Sequence, residues 1–308
     1  MALKNFLIRR RTPLAIGTCA VLILGGVVIS QRRQGRWEFL SIRRLMGRVV
    51  PEPLFEPSNA MLRSGNPDLK EVAITFDDGP HIESREQILE ALRRYKAKAT
   101  FFEVGMRMGQ YPDLLRKTIT EGHEIANHTM FHQNLPGLKP DTLHKGINDT
   151  DIAYYRITGK HLRIMRPPGM RFDRASLDEA KRLGYIVVSY TAASADYGDN
   201  VDPKKVAERT LRNTKPGGIL LLHDYTATAI AMPEILENLS RQGYKFVTVS
   251  EMIAHLPQKE RELAMQIWKG TEEKGQLPRP SFLLPSVAHN NKPATNTTHA
   301  EKTDRKGS

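Results

Sequence analysis

Val72-Ala73-Ile74-Thr75-Phe76-Asp77-Asp78-Gly79-Pro80 opens as a strand and closes as a turn. The apolar run is short and uninterrupted, as expected of a strand buried on both faces. Gly79-Pro80 ends it. Asp77 and Asp78 are adjacent, so on an extended chain their side chains would point to opposite sides. A bend at the strand end would let one carboxylate bind a metal while the other accepts a proton. The simpler reading of the same residues is an Asx-turn that only ends a strand.

Working outward, the pattern repeats. Apolar runs at 72–76, 100–104, 124–126, 162–165, 186–190, 219–222 and 246–249 read as buried strands. Helical periodicity lies between them, at 85–95, 112–120, 141–158, 175–183, 203–211 and 230–241. Ser84 is placed to cap the first of these helices. Glycines 122, 159, 184 and 243 sit where helices should stop. The alternation predicts an α/β fold, a distorted seven-stranded parallel (β/α) barrel over residues 70–255. A doubly wound open sheet is the alternative. In both, catalytic groups gather beyond the carboxyl ends of strands.

The ends of the chain read differently. Residues 1–48 hold ten Lys or Arg against one acid, whereas residues 49–284 carry a net charge of only +1. The basic balance therefore belongs to the termini. It is not the basic stripe of a nucleic-acid-binding domain, and no nucleic-acid partner is expected. Leu14 to Ser30 is uncharged and flanked by Arg9, Arg10 and Arg11 before and Arg32, Arg33 and Arg36 after. As a helix it would reach about 25 Å, close to a hydrocarbon core, and the flanking Arg can snorkel. Residues 1–36 are therefore expected to be a membrane anchor, a transmembrane helix ahead of an extracytoplasmic domain. A cleaved signal peptide and a secreted enzyme are the alternative, but no Ala-x-Ala-like site follows the run. Residues 37–69, spaced by prolines, read as a linker, 256–284 as a C-terminal extension and 285–308 as a disordered tail. The only cysteine, Cys19, lies in the apolar run, which excludes Cys-ligated zinc from the folded domain.

Three further elements carry chemistry. In His128-Thr129-Met130-Phe131-His132 the imidazoles are four apart, so on a helical turn they would face one side. Two His and one carboxylate leave a position for water on a divalent ion, whose proton is lost near neutral pH. Arg166-Pro167-Pro168-Gly169 sets an Arg on a stiffened backbone, where it can hold a catalytic carboxylate. Gly169 leaves its N–H approachable. In Leu221-Leu222-His223-Asp224 a strand ends in an imidazole, and Asp196 could orient and charge it. Each has a bland reading as well: surface histidines, a solvated Arg, a strand-end His.

Taken together and in order, these motifs resemble the polysaccharide deacetylases, carbohydrate esterase family four or the NodB-homology family, over roughly residues 70–255. The resemblance implies Asp77 as catalytic base, Asp78, His128 and His132 as metal ligands, and Arg166 as the residue that orients the base. It implies an oxyanion contact from the backbone near Gly169. It makes His223 the catalytic acid, with Asp196 its partner and Leu221 the apolar residue beneath it. The fourth motif departs from the family's Asp-x-x-Asp-Trp: Ala193 replaces the first Asp and Tyr197 the Trp, which bears on groove shape and substrate preference.

The implied function is metal-dependent hydrolytic deacetylation of N-acetylated, GlcNAc-type sugar units in a cell-envelope or exported polysaccharide. The ion is expected to be Zn²⁺, with Co²⁺, Ni²⁺ and Fe²⁺ also suited to the donor set. Peptidoglycan, a chitin-like polymer and an exopolysaccharide are the candidate substrates. An O-acetyl, xylan-type esterase and a catalytically weak, membrane-tethered glycan-binding module are the rival readings.

Overall fold

The computed structural model describes residues 52–272 and, ahead of them, residues 19–23, 26–33 and 36–41. These leading segments are strands β1 (Cys19–Ile23), β2 (Gly26–Arg33) and β3 (Arg36–Ser41), paired as an antiparallel sheet. Where a transmembrane helix was expected over residues 14–30, residues 19–23 and 26–30 are strand, and the rest of that stretch lies outside the described residues. The physical reason is composition: Val21, Ile23, Val27, Val28 and Ile29 are β-branched, and Gly25 and Gly26 are poor helix formers. Among the described residues, no helix is long and apolar enough to cross a membrane.

The main body begins with β4 (Phe55–Glu56), β5 (Met61–Leu62) and β6 (Glu71–Gly79). Then follow α1 (Arg85–Arg94), β7 (Ala99–Glu103), α2 (Gly105–Gln110), α3 (Pro112–Thr120) and β8 (Glu124–Asn127). Next come α4 (Pro140–Thr158), β9 (Ile164–Met165), α5 (Arg174–Arg182), β10 (Ile186–Val188) and β11 (Ala192–Ala193). The chain closes with α6 (Pro203–Asn213), β12 (Gly218–His223), α7 (Thr226–Arg241), β13 (Lys245–Phe246), α8 (Val249–Ala254) and α9 (Gln258–Glu272).

The strands form one sheet in the order β11-β12-β6-β7-β8-β9-β10-β5-β4, with β13 added beside the start of β6. Every pairing in it is parallel except β4 with β5. The β6–β7 register begins at Ile74, which leaves Glu71 and Val72 free for β13. The result is an α/β half-barrel: β11 and β4 are the two ends of the strand order, they do not pair, and the curve stays open between them. One backbone bond crosses near this seam, from Gly65 N–H to the Gly217 carbonyl at 2.8 Å. Gly217 has a φ of 72°, and a Cβ there would stand 2.7 Å from the Gly65 carbonyl oxygen, so only glycine fits.

Alternation along the strands sorts two cores. Ile74 and Phe76 face outward into the layer built by Ile88, Leu89, Ile147, Leu177, Val206 and Ile235 of the helices. Ala73, Phe102, Ile164, Ile186, Val188 and Ile219 face the concave side, which Met252, Ile253, Leu256 and Ala264 fill. Residues past the last expected motif therefore build the inner core. Part of the expected linker does so too: Phe55 and Leu62 are buried, and β5 pairs with β10.

Three local expectations are corrected. The strand expected at 246–249 stops at Phe246, because Thr248 and Glu251 form a capping box that starts α8. The helix expected from residue 230 begins at Thr226. Ser84 does precede α1 but makes no capping bond; its hydroxyl donates to the Asp224 carbonyl at 2.6 Å.

Candidate active site

The site lies at the carboxyl ends of β6, β9 and β12 and on the loop after β8. At the end of β6 the pairing with β7 slips between Phe76 and Gly79, and Asp78 takes a φ of 72°. This bulge supplies the bend that lets both carboxylates serve one side. A Cβ on Gly79 would collide with Arg85 Nη2 and Glu103 Oε2, so the turn packs directly on a buried charge cluster. In that cluster Arg85 bonds Glu103 Oε1 and Asp224 Oδ2, both at 2.8 Å. Burial raises the Glu103 carboxyl, against the pull of Arg85.

Asp77 Oδ1 accepts from Arg166 Nη1 at 2.7 Å. Arg166 is fully buried, stands over the Phe102 ring, and also bonds Thr75 Oγ1 and the carbonyls of Val188 and Ser189. Its guanidinium is thus fixed, and the second oxygen of Asp77 faces His128 Nε2 at 4.0 Å.

Asp78 Oδ1 lies 3.3 Å from His128 Nε2 and 3.0 Å from His132 Nε2. The two imidazoles do not sit on a helix. They lie in a loop whose turn uses positive φ at Thr129 and His132, 67° and 53°. Backbone bonds from Gly105 and Met106 to the Thr129 and Met130 carbonyls hold it. His128 Nδ1 donates to the Arg166 carbonyl at 2.8 Å, which leaves Nε2 with its lone pair in the neutral ring. Asp78 Oδ1 is buried and receives no hydrogen bond in good geometry. Asp78 Oδ1 and one ring nitrogen from each imidazole thus converge within 4.8 Å of one another, a donor set that fits a cation. Separations of 3.0–3.3 Å also match the edge of a tetrahedron with bonds near 2.1 Å, about 3.4 Å. Burial opposes the Asp78 charge, but His128, His132 and Tyr225 outweigh it and hold the carboxyl far below its usual range. The Asp78 carboxylate beside its ring raises His132, against the opposing effect of burial.

His223 and Asp77 are register partners on adjacent parallel strands. His223 Nδ1 lies 2.7 Å from Asp196 Oδ1, and Asp196 Oδ2 accepts from the His223 backbone N–H at 2.7 Å and Thr228 Oγ1 at 2.5 Å. Burial works against the imidazolium, yet the bond to and charge of Asp196 raise His223. Asp196 is correspondingly lowered, although burial alone would raise it. Leu221 shares the face of His223, opposite Thr75. Tyr197 is 64% exposed and stands edge-on to His223 at 5.8 Å. Gly169, with φ 57°, is exposed in the short 3₁₀ turn Pro168–Met170.

Two participants were missed from sequence. Tyr225 donates to Asp78 Oδ2 at 2.8 Å and stacks on His223, and Thr228 holds Asp196. The ending Leu222-His223-Asp224-Tyr225 put the tyrosine in view, but its partner is 147 residues away. Thr228 lies in the turn of α7 that was expected to be loop.

The polysaccharide deacetylase family model matches residues 64–188. A peptidoglycan-N-acetylglucosamine deacetylase of Bacillus cereus is 38% identical over 192 residues, 60% of this chain and 89% of that protein. The peptidoglycan-N-acetylmuramic acid deacetylase PdaA of Bacillus subtilis is 31% identical over 61% of this chain and 73% of its own length. Among solved structures, peptidoglycan deacetylase PdaC from Bacillus subtilis superposes with a TM-score of 0.58 at 32% identity, over 68% of this chain and 97% of that one. The chain belongs to the polysaccharide deacetylase family.

Proposed function

We propose that the protein removes the acetyl group from N-acetylated sugars of peptidoglycan, using a divalent ion, Zn²⁺ first, held by Asp78, His128 and His132. The observation that carries this reading is the flanking of that donor cluster by two opposed, pre-oriented groups. Asp77 is locked by Arg166 on β6, and His223 is locked by Asp196 directly across the strand pair. The relatives named above supply the substrate class. A bound ion would polarise the acetamide carbonyl and acidify water beside it.

Asp77 takes the proton of the attacking water through the oxygen that Arg166 leaves free. The backbone N–H of Gly169 is the donor offered to the charge that develops on the carbonyl oxygen, since those of Met170 and Arg171 bond within the turn. His223, with Nδ1 tied to Asp196, offers the proton on Nε2 to the leaving nitrogen as the C–N bond breaks. Acetate and a free amino sugar result, and Asp77 and His223 have exchanged one proton each with the reactants. Tyr197 supplies an aromatic wall for the sugar, and Leu221 an apolar floor for the acetyl methyl.

We further propose that the catalytic domain faces the cell envelope, retained or exported through the uncharged stretch Leu14–Ser30 and its flanking Arg residues. The location of the relatives' named substrate supports this. Acetate release from peptidoglycan strands, chitin oligomers and acetylated xylan, with and without chelator, tests the reading. Chelator-sensitive release with new free amines is expected; release only from xylan, or none after metal loading, overturns it.

A further inference from the structure

We propose that Tyr225 is a positioning residue that fixes how Asp78 presents itself to the metal. The inference rests on the reading of Asp78, His128 and His132 as ligands.

Asp78 is at a bulge with a left-handed backbone, and among the described residues its short side chain has no ion pair with Lys or Arg. Oδ1 points at both imidazole Nε2 atoms, while Oδ2 accepts from the Tyr225 hydroxyl at 2.8 Å. The carboxylate is thereby split into one oxygen for the ion and one for the phenol. Tyr225 is itself held from two sides. Its ring lies parallel to His223, 5.3 Å between centroids at 8°, and edge-on to His81 at 5.1 Å. The Tyr225 backbone N–H bonds the His223 carbonyl at 2.9 Å. The phenol thus reaches Asp78 from a platform built by the acid's own strand, and one side chain bridges the ligand and the acid. Partners that orient a ligating carboxylate typically change metal affinity by 10–100-fold when removed.

Tyr225→Phe keeps the ring and its stack and deletes only the hydroxyl. Zinc affinity, read by competition with a chromophoric chelator, should weaken about tenfold. The visible spectrum of the Co²⁺-loaded variant should change as the carboxylate rotates, while the metal-free protein keeps its circular dichroism and melting point. His132→Ala runs beside it and should lose most zinc. Affinity within twofold of wild type in Tyr225→Phe, with His132→Ala deficient, overturns the role of Tyr225 and leaves the metal site standing. Unchanged affinity in both variants overturns the site itself.

Discussion

Asp77 and Asp78 are chemically identical neighbours whose proposed roles rest on their different partners. Arg166 holds one, two imidazoles and a phenol face the other. Asp77→Asn should therefore retain zinc while kcat falls about 10²–10⁴-fold, since an amide cannot accept the water proton. Zinc content and acetate release check this; near-normal turnover would mean the two roles are reversed. The proposed acid gives a second test. If His223 donates the proton, only its protonated form can do so, and activity is present below its pKa and lost as pH rises through it. Asp196 raises that pKa against the opposing effect of burial. Asp196→Asn should lower it and pull the alkaline limb of kcat down toward an ordinary histidine value, with the acidic limb little moved. An unmoved alkaline limb would remove His223 or Asp196 from proton transfer. At this scale most of the site was legible in the sequence, because Asp78, His128, Arg166 and His223 each end an apolar run. Tyr225 and Thr228 were not, because each acts on a carboxylate contributed by a distant turn.

Among the elements, the outward layer was easier to read than the concave one. Helices such as α3 and α4 show a single apolar stripe, and glycines 122 and 159 stop the chain with positive φ. Helix α8 escaped because Val247-Thr248-Val249 looks like strand, although Thr248-Val249-Ser250-Glu251 also carries a capping box. Glu251 settles the competition: its carboxylate accepts from the Thr248 backbone N–H at 2.7 Å. The consequence is energetic. Ile253 is fully buried against the concave face, in the same cluster as Phe102, on which Arg166 rests. Ile253→Ala should cost about 2–5 kcal/mol in urea unfolding with little change in zinc affinity. A cost below about 1 kcal/mol would show that α8 is an ornament on the barrel and not part of its core.

For the molecule as a whole, the sequence placed the start of the catalytic domain at residue 70, just before the first motif. The packing places it earlier. The Leu54 backbone N–H bonds Glu260 Oε1 on α9 at 3.0 Å, Phe55 and Leu62 are buried in the concave core, and β5 completes the edge of β10. Pro57 and Pro67, two of the prolines that suggested a linker, lie in turns between short strands. Nine of the twelve net positive charges lie ahead of this point, in residues 1–48. Two shortened chains separate the readings. One that begins at Glu52 keeps the whole main body, from β4 to α9, and every site residue, so it should melt like the full chain and release acetate at a similar rate. It should also lose the salt-sensitive attachment to anionic vesicles that a +9 segment gives. One that begins at Lys70 keeps all the motifs but strips Phe55, Met61 and Leu62 from the core. Truncating a single buried Leu or Phe costs about 2–5 kcal/mol, so this shorter chain should be unfolded or strongly destabilised. Thermal melts of both, followed by acetate release from the folded one, decide the matter. If the chain from Lys70 melts with the full-length protein, the segment before β6 is a linker after all, and the half-barrel is complete without it.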